Sequence, residues 1–422
     1  MAAACLYSIV GWFKSIKGKI PFTKSAVSNC LRLAPFLYFL VIVLELTSPE
    51  SDYIAIIYMM WICLRLVEII EVNPGDIIGY SLLAVASFAV VSYKLSAAIL
   101  CMVTIIPIVL LVRKRQWKNI LICAAVSVIV LLPFVLRNII ICGWPVYPVA
   151  KFGWIDFPWK LDAQRLTSDA EEIGAWAREA ENSAEGALSG IRGWLVSWWD
   201  EQYEATQLFI KAVLYALPVM MAAVLGSVIV YVIRFGRKRL NATVADEICV
   251  KSESKIEVQR CRLYIFMMVM LVIFMIFYMA TAPLIRYCYG PVIMFPLAVA
   301  GYLIYIAGLL RGKMKVAALI IESVIAICTI WPQILSANAL IKFDYEESVA
   351  RFSPFEYIVK QIDYPQAEVK EVEYCGYTCY LPVGENNDQC WYYAFPSSPY
   401  HECFEQTELM GDDFRSGVVQ KE

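Results

Sequence analysis

PFVLRNIIICGWPVYP, residues 133–148, closes an apolar run that begins near Leu121. A run of that length crosses a bilayer as a helix, which takes about 20 apolar residues. Arg137 and Asn138 interrupt it within its last turns. A turn then follows at once, Gly143-Trp144-Pro145 and Val146-Tyr147-Pro148. A charged side chain at such a depth is costly unless it reaches a partner or the interface, so Arg137 is a candidate functional residue. The competing reading is that Arg137 extends to headgroup phosphates while the nearby aromatics form an interfacial belt.

The same apolar pattern recurs on both sides of this stretch. Of 422 residues, 60% are hydrophobic and 18% charged, and the mean hydropathy is +0.61. That is more apolar surface than a water-soluble domain needs. The chain therefore reads as an all-α polytopic membrane protein. Nine spans are expected: Leu31–Thr47, Tyr53–Ile70, Ile77–Val91, Leu95–Val112, Ile120–Cys142, Leu208–Ile233, Leu263–Ala282, Val292–Leu310 and Val316–Leu335. Asn73-Pro74-Gly75-Asp76 breaks one helix and caps the next, and Ser92-Tyr93-Lys94 is a tight turn.

Charge orients the expected spans. Arg113-Lys114-Arg115 with Lys118, Arg234 with Arg237-Lys238-Arg239, and Arg311 with Lys313 and Lys315 fall in alternate loops. The positive-inside rule puts these loops and the N-terminus in the cytoplasm and the C-terminus outside. Three regions follow: a cytoplasmic or interfacial segment at 1–30, a transmembrane domain at 31–335, and an external domain at 336–422. The transmembrane domain carries an external Trp-rich segment, 143–205, and a cytoplasmic loop, 234–262, whose polar stretch Asn241–Arg260 reads as flexible. The C-terminal region reads as a small α+β or β cap. A net charge of −2 carries no argument for nucleic acid. The bilayer is the expected partner, and nucleic acid is not.

His401 is the single histidine, which leaves little room for a His-ligated metal or a Ser-His-Asp triad. Acid–base chemistry must then use carboxylates, lysine, tyrosine or cysteine. Fourteen cysteines are scattered, mostly in apolar runs, where a free thiol behaves as a small hydrophobe. Cys375, Cys379, Cys390 and Cys403 cluster near the end, and at least one disulfide is expected among them; all three pairings stay open.

Residues 143–205 hold seven tryptophans: Trp144, Trp154, Trp159, Trp176, Trp194, Trp198 and Trp199. Two short interfacial helices are expected there, at Ala170–Asn182 and Ala187–Glu204. Tryptophan belongs at that interface in any case. An aromatic face also packs on the C–H face of a sugar ring, so Trp144, Trp159, Trp176 and Trp198 are candidate sugar-binding residues.

Several short motifs stand in order along the chain. They are Ser48-Pro49-Glu50-Ser51-Asp52, Tyr93-Lys94-Leu95-Ser96, Leu136-Arg137-Asn138 leading to Gly143–Pro148, Asp156-Phe157-Pro158-Trp159-Lys160, Ile173–Arg178, Pro283-Leu284-Ile285-Arg286-Tyr287 with Gly290, and Asp388-Gln389-Cys390-Trp391. Together they resemble a largely uncharacterised bacterial family of multispan envelope proteins with a GT-C-like glycosyltransferase core. The resemblance implies residence in the bacterial cell membrane and a polyprenyl-phosphate-linked sugar as donor. It also implies transfer to a surface glycan or other acceptor on the outer face. GT-C enzymes usually carry a catalytic Asp in the first long external loop, and this family tends to have further spans before the matching part. On that comparison the chain reads as N-terminally truncated, with the carboxylate supplied elsewhere. The family also tends to have a cysteine where Ser397 or Ser398 stands.

Topology places Lys94, Arg137 and Arg286 at external helix ends. If these ends converge, the three cations with Asn138 could clamp a lipid-linked phosphate, since Arg forks suit phosphate oxygens and Lys adds a point charge. Asp52, Asp156 and Glu50 are the candidates for the base that deprotonates an acceptor hydroxyl. The competing readings are headgroup contact for the cations and plain solvation for the carboxylates. A divalent cation is left open as cofactor. A non-enzymatic lipid-linked glycan transporter, a membrane scaffold, and a surface-polysaccharide polymerase or ligase are the alternatives. Mid-span charges are nearly absent and polar residues gather at the external ends, which favours surface chemistry over translocation.

Overall fold

The computed structural model describes residues 2–17, 22–42, 51–178, 191–202, 204–231, 244–309, 368–383, 396–398, 402–413 and 416–421, with isolated positions at 316, 320, 331 and 335. Glu50, Cys390, the side chain of Cys403 and nearly all of the expected ninth span lie outside these residues.

The chain is mostly helical, and among the described residues six helices are long and apolar enough to cross a membrane: Thr23–Ile42, Ser51–Val72, Leu95–Arg113, Trp117–Cys142, Lys255–Thr281 and Tyr289–Gly308. Two more apolar helices, Ile77–Tyr93 and Val213–Gly226, are shorter. Each of the six overlaps one of the nine expected spans. Two compact units divide the chain. The first is Met1–Pro133 with Ile173–Pro354, and the second is Phe134–Glu172 with Phe355–Glu422.

The first unit is built around one helix. Its helices are α1 (Ala2–Lys17), α2 (Ala26–Leu31), α3 (Ala34–Ile42), α4 (Ser51–Val72) and α5 (Ile77–Tyr93). A 3-10 segment, Leu95–Thr104, then leads into α6 (Ile105–Arg113), and α7 (Trp117–Cys142) and α8 (Ala163–Ala177) run on across the boundary with the second unit. After them come α9 (Ile191–Glu201), α10 (Glu204–Tyr231), α11 (Val244–Thr281) and α12 (Tyr289–Gly308). Helix α12 is the core, with 94% of its apolar window buried. Small residues allow the close approach. A side chain at Gly301 would meet the backbone of Ala26 and Val27 at 2.9 and 2.6 Å, so α12 and α2 touch backbone to backbone. This is the small-residue packing that membrane helices use when hydrophobicity no longer drives association. Helix α7 is the opposite case: only 6% of its window is buried, so its apolar surface suits lipid.

Two expectations change. The first span begins at Thr23, not Leu31, because Ser25, Ser28, Asn29 and Arg32 are buried and bonded rather than wet. Asn29 Nδ2 donates to Ser25 Oγ at 3.1 Å, and Arg32 Nη1 donates to Asn29 Oδ1 at 2.6 Å. The polar stretch read as a flexible loop at Asn241–Arg260 is helical from Val244 onward. No Gly or Pro interrupts Val244–Thr281, and its Glu and Lys residues are good helix formers, so the helix simply runs on past its apolar part.

Turn chemistry follows the sequence. Asp76 caps α5 by accepting from Gly79 N at 3.1 Å. Helix α7 ends at Gly143, whose φ of +75° is the left-handed cap that favours glycine. A side chain there would also sit 2.5 Å from Lys160 Cα.

The second unit pairs β1 (Val369–Tyr374) with β2 (Tyr377–Pro382), and β3 (Thr407–Leu409) with β4 (Val418–Gln420), both antiparallel, beside a short helix, α13 (Glu402–Glu405). Arg165 donates to Gln406, so residues of the Trp-rich segment and of the tail belong to one unit. This divides the expected external segment: 143–172 groups with the tail, and the remainder with the helical unit.

Candidate functional site

Asp52, Lys94 and Arg286 meet in the first unit. Asp52 lies in the first turn of α4, where a carboxylate complements the helix dipole. Lys94 occupies the extended residue between α5 and the 3-10 segment. Arg286 belongs to a 3-10 turn, Ile285–Tyr287, that joins α11 to α12. Lys94 Nζ donates to Asp52 Oδ1, and Arg286 Nε lies 3.8 Å from Asp52 Oδ2, an ion-pair rather than a hydrogen-bond distance. The side chains of Asp52 and Lys94 are 9% and 19% exposed, against 41% for Arg286. One carboxylate thus faces two cations at a site that opens on the arginine side.

Aromatic rings frame the cations. Lys94 Nζ stands 3.4 Å from the centre of the Tyr287 ring, and Arg286 Cζ stands 5.2 Å from it. Arg286 Cζ is also 5.9 Å from the Trp176 ring, and Trp176 is 51% exposed. These are cation–π distances, which stabilise charges that have lost water. Helix α9 and the residue after α8 are tied to the loop before Arg286 and to the last turn of α11. Trp198 Nε1 donates to Pro283 O at 2.9 Å, and Arg178 Nη2 donates to Ala280 O at 2.9 Å. Burial lowers the pKa of the Arg178 guanidinium. Arg178 also lies over the Trp194 ring at 5.0 Å.

The other candidates fall differently. Arg137 and Asn138 belong to the second unit. Arg137 is exposed, and Asn138 Nδ2 donates to Pro145 O at 3.3 Å, closing the turn after α7. Asp156 is 95% exposed and pairs with Lys160 at 2.7 Å. Trp144 and Trp198 are buried, with their indole N–H groups given to Leu161 O and Pro283 O. They hold loops in place rather than offering a free face to a sugar ring. Trp159 stacks on Phe157 and donates to Ile139 O. Of the four tryptophans proposed for sugar, Trp176 is the open one. Cys375 and Cys379 are free thiols, at the turn and on the second strand of the β1–β2 hairpin. Burial raises the Cys379 pKa. Tyr147 OH donates to Asp169, and burial together with that bond raises its pKa to about 12.

Among the described residues no three His, Cys, Asp or Glu side chains gather to hold a metal ion. Asp52 already faces Lys94 and Arg286 with its two oxygens, so the donor set here does not fit a divalent cation.

A second polar cluster was not expected. At the opposite end of α4, about 25 Å from Asp52 at 1.5 Å per residue, Glu68 pairs with Arg32 at 2.8 Å and with Arg65. Tyr7 OH donates to Glu68 at 2.7 Å and fastens α1. Arg260 donates to the carbonyls of Ile70 and Glu71, the open end of α4. Polar residues therefore gather at both ends of this unit, not one.

A family model described as a domain of unknown function, DUF8201, matches residues 1–293. The chain belongs to the DUF8201 family. Asp52, Lys94, Trp176, Arg286 and Tyr287 all fall within the part that DUF8201 covers, as does the second polar cluster. No curated protein and no solved structure matches the chain.

Proposed function

We propose that this protein is a nine-span, GT-C-related enzyme of the bacterial cell membrane that uses a polyprenyl-phosphate-linked sugar on the external side. The observation that supports this reading is the meeting of Lys94 and Arg286, from two separate connections, on the partly buried Asp52 beside an exposed Trp176. The three charges sum to +1, so the cluster retains attraction for an anion. A phosphate entering on the exposed arginine side would take Lys94 and Arg286 as its partners. Asp52 would then lose its two partners, which frees its oxygens to accept a hydrogen bond from an acceptor hydroxyl. In transfer, the acceptor oxygen bonds to the sugar anomeric carbon as the carbon–phosphate oxygen bond breaks. The bonding pair leaves on the phosphate, held by the two cations, and the acceptor proton passes to Asp52. Trp176 offers a face for the sugar.

Binding of polyprenyl phosphate to the purified full chain tests this. Lys94→Met and Arg286→Met should each weaken binding about tenfold, the usual scale for one charge-assisted contact. Lys114→Met, at the far end of α6, should leave it unchanged. Equal affinity in all four proteins would end the proposal.

A further inference from the structure

Helices α6 and α11 enclose a groove of about 520 Å³ that has no part in the Asp52 site. This volume is in the range of small-molecule sites. Its walls are apolar, including Val109, Leu110 and Phe266, and its mouth carries Arg113, Lys255 and Arg262. All three cations are exposed, and none makes an ion pair or hydrogen bond with the described residues. Arg113 ends one candidate span, Leu95–Arg113, and Lys255 begins another, Lys255–Thr281. The groove therefore runs from the headgroup level of one leaflet into the hydrocarbon. It pairs positive charge that no described residue neutralises with an apolar channel at that depth.

We infer that this groove binds one anionic phospholipid, its phosphate among Arg113, Lys255 and Arg262 and an acyl chain along Val109, Leu110 and Phe266. Basic pockets between membrane helices commonly take acidic headgroups. The apolar wall asks for a chain as well as a charge, which separates this site from a simple attraction of the basic loop to the surface. The lipid would fill the space between α6 and α11 and hold their ends together.

Native mass spectrometry of the full chain, exchanged from phosphatidylcholine into mixed micelles holding phosphatidylglycerol, reads this directly. The wild type should retain one phosphatidylglycerol in clear preference to phosphatidylcholine. Each cation near a charged headgroup is worth about fivefold, so Arg113→Gln with Lys255→Gln and Arg262→Gln should reduce that preference by roughly tenfold to a hundredfold. Arg115→Gln with Lys118→Gln removes charge at the same end but outside the groove, and should leave the preference intact. Val109→Trp fills the wall without altering charge and should also expel the lipid, which keeps the test decisive if the triple variant fails to fold. Glycerophosphate, which has no acyl chain, should not compete. No preference in the wild type would overturn the inference. So would equal loss in the Arg115/Lys118 control, full retention by Val109→Trp, or displacement by glycerophosphate.

Discussion

Asp52→Asn removes the carboxylate that Lys94 and Arg286 face while keeping its volume, and it should move stability and ligand affinity in opposite directions. Removing one partner of a buried ion pair costs about 3–5 kcal/mol. Lys94 keeps the Tyr287 ring at 3.4 Å, and Arg286 is 41% exposed. Only part of that cost applies, so the substitution should destabilise the protein by about 1–3 kcal/mol. An incoming phosphate meets the reverse effect. At about 6 Å from the carboxylate and an effective dielectric constant near 20, repulsion from Asp52 is roughly 3 kcal/mol. Solvent on the arginine side reduces this by about half, so Asp52→Asn should bind polyprenyl phosphate roughly 5- to 15-fold more tightly. Thermal unfolding in detergent, followed by intrinsic fluorescence with and without the lipid, reads both quantities. A lower Tm without lipid and a larger stabilisation by it are expected. Affinity that is unchanged or weaker in a folded Asp52→Asn protein would refute competition between the carboxylate and an anion for the two cations.

Gly301→Ala should destabilise the helical unit by about 1–3 kcal/mol, since the added carbon meets the backbone of α2, which a rotamer change cannot relieve; chemical or thermal unfolding checks it. Trp198→Phe should cost about 1 kcal/mol from the lost bond to Pro283 O. It should also raise protease sensitivity within 178–202, and an unchanged digestion pattern would count against docking of α9. For orientation, a cysteine at Lys118 should be protected from an impermeant thiol reagent in intact cells, and one at Trp154 should react. The opposite pattern would invert the topology.

Apolar runs make most of the helical unit legible in the sequence. Five of the expected spans recur within a few residues, because a bilayer-length apolar helix bounded by Pro, Gly or Asp has few other ways to fold. The start of the first span was not legible, since Ser28 and Arg32 look wet until Glu71 and Glu68 are placed against them. Helix α8 began earlier than expected because Asp162 caps it, accepting from Gln164 N at 2.7 Å; an Asp before a helix-forming run was the available signal. At the site, Asp52, Lys94 and Arg286 were legible as charges at helix ends. Their meeting was not, because it depends on how three connections distant in sequence pack. Tyr287 stood beside Arg286 in the chain, yet nothing local distinguishes a cation–π partner from an ordinary interfacial tyrosine. Composition likewise cannot tell an indole buried on a carbonyl, as those of Trp144 and Trp198 are, from one that faces a ligand.

Turnover tests the central claim most directly. The full chain in lipid nanodiscs would be given a polyprenyl-phosphate-linked hexose, with a glycan acceptor, and the free polyprenyl phosphate released would be measured by mass spectrometry. Release by the wild type, with loss of at least about a hundredfold in Asp52→Asn, the scale for removing a general base, is expected, even as that variant binds the lipid phosphate more tightly. Equal release by the wild type and Asp52→Asn would contradict a catalytic role for the Asp52 cluster.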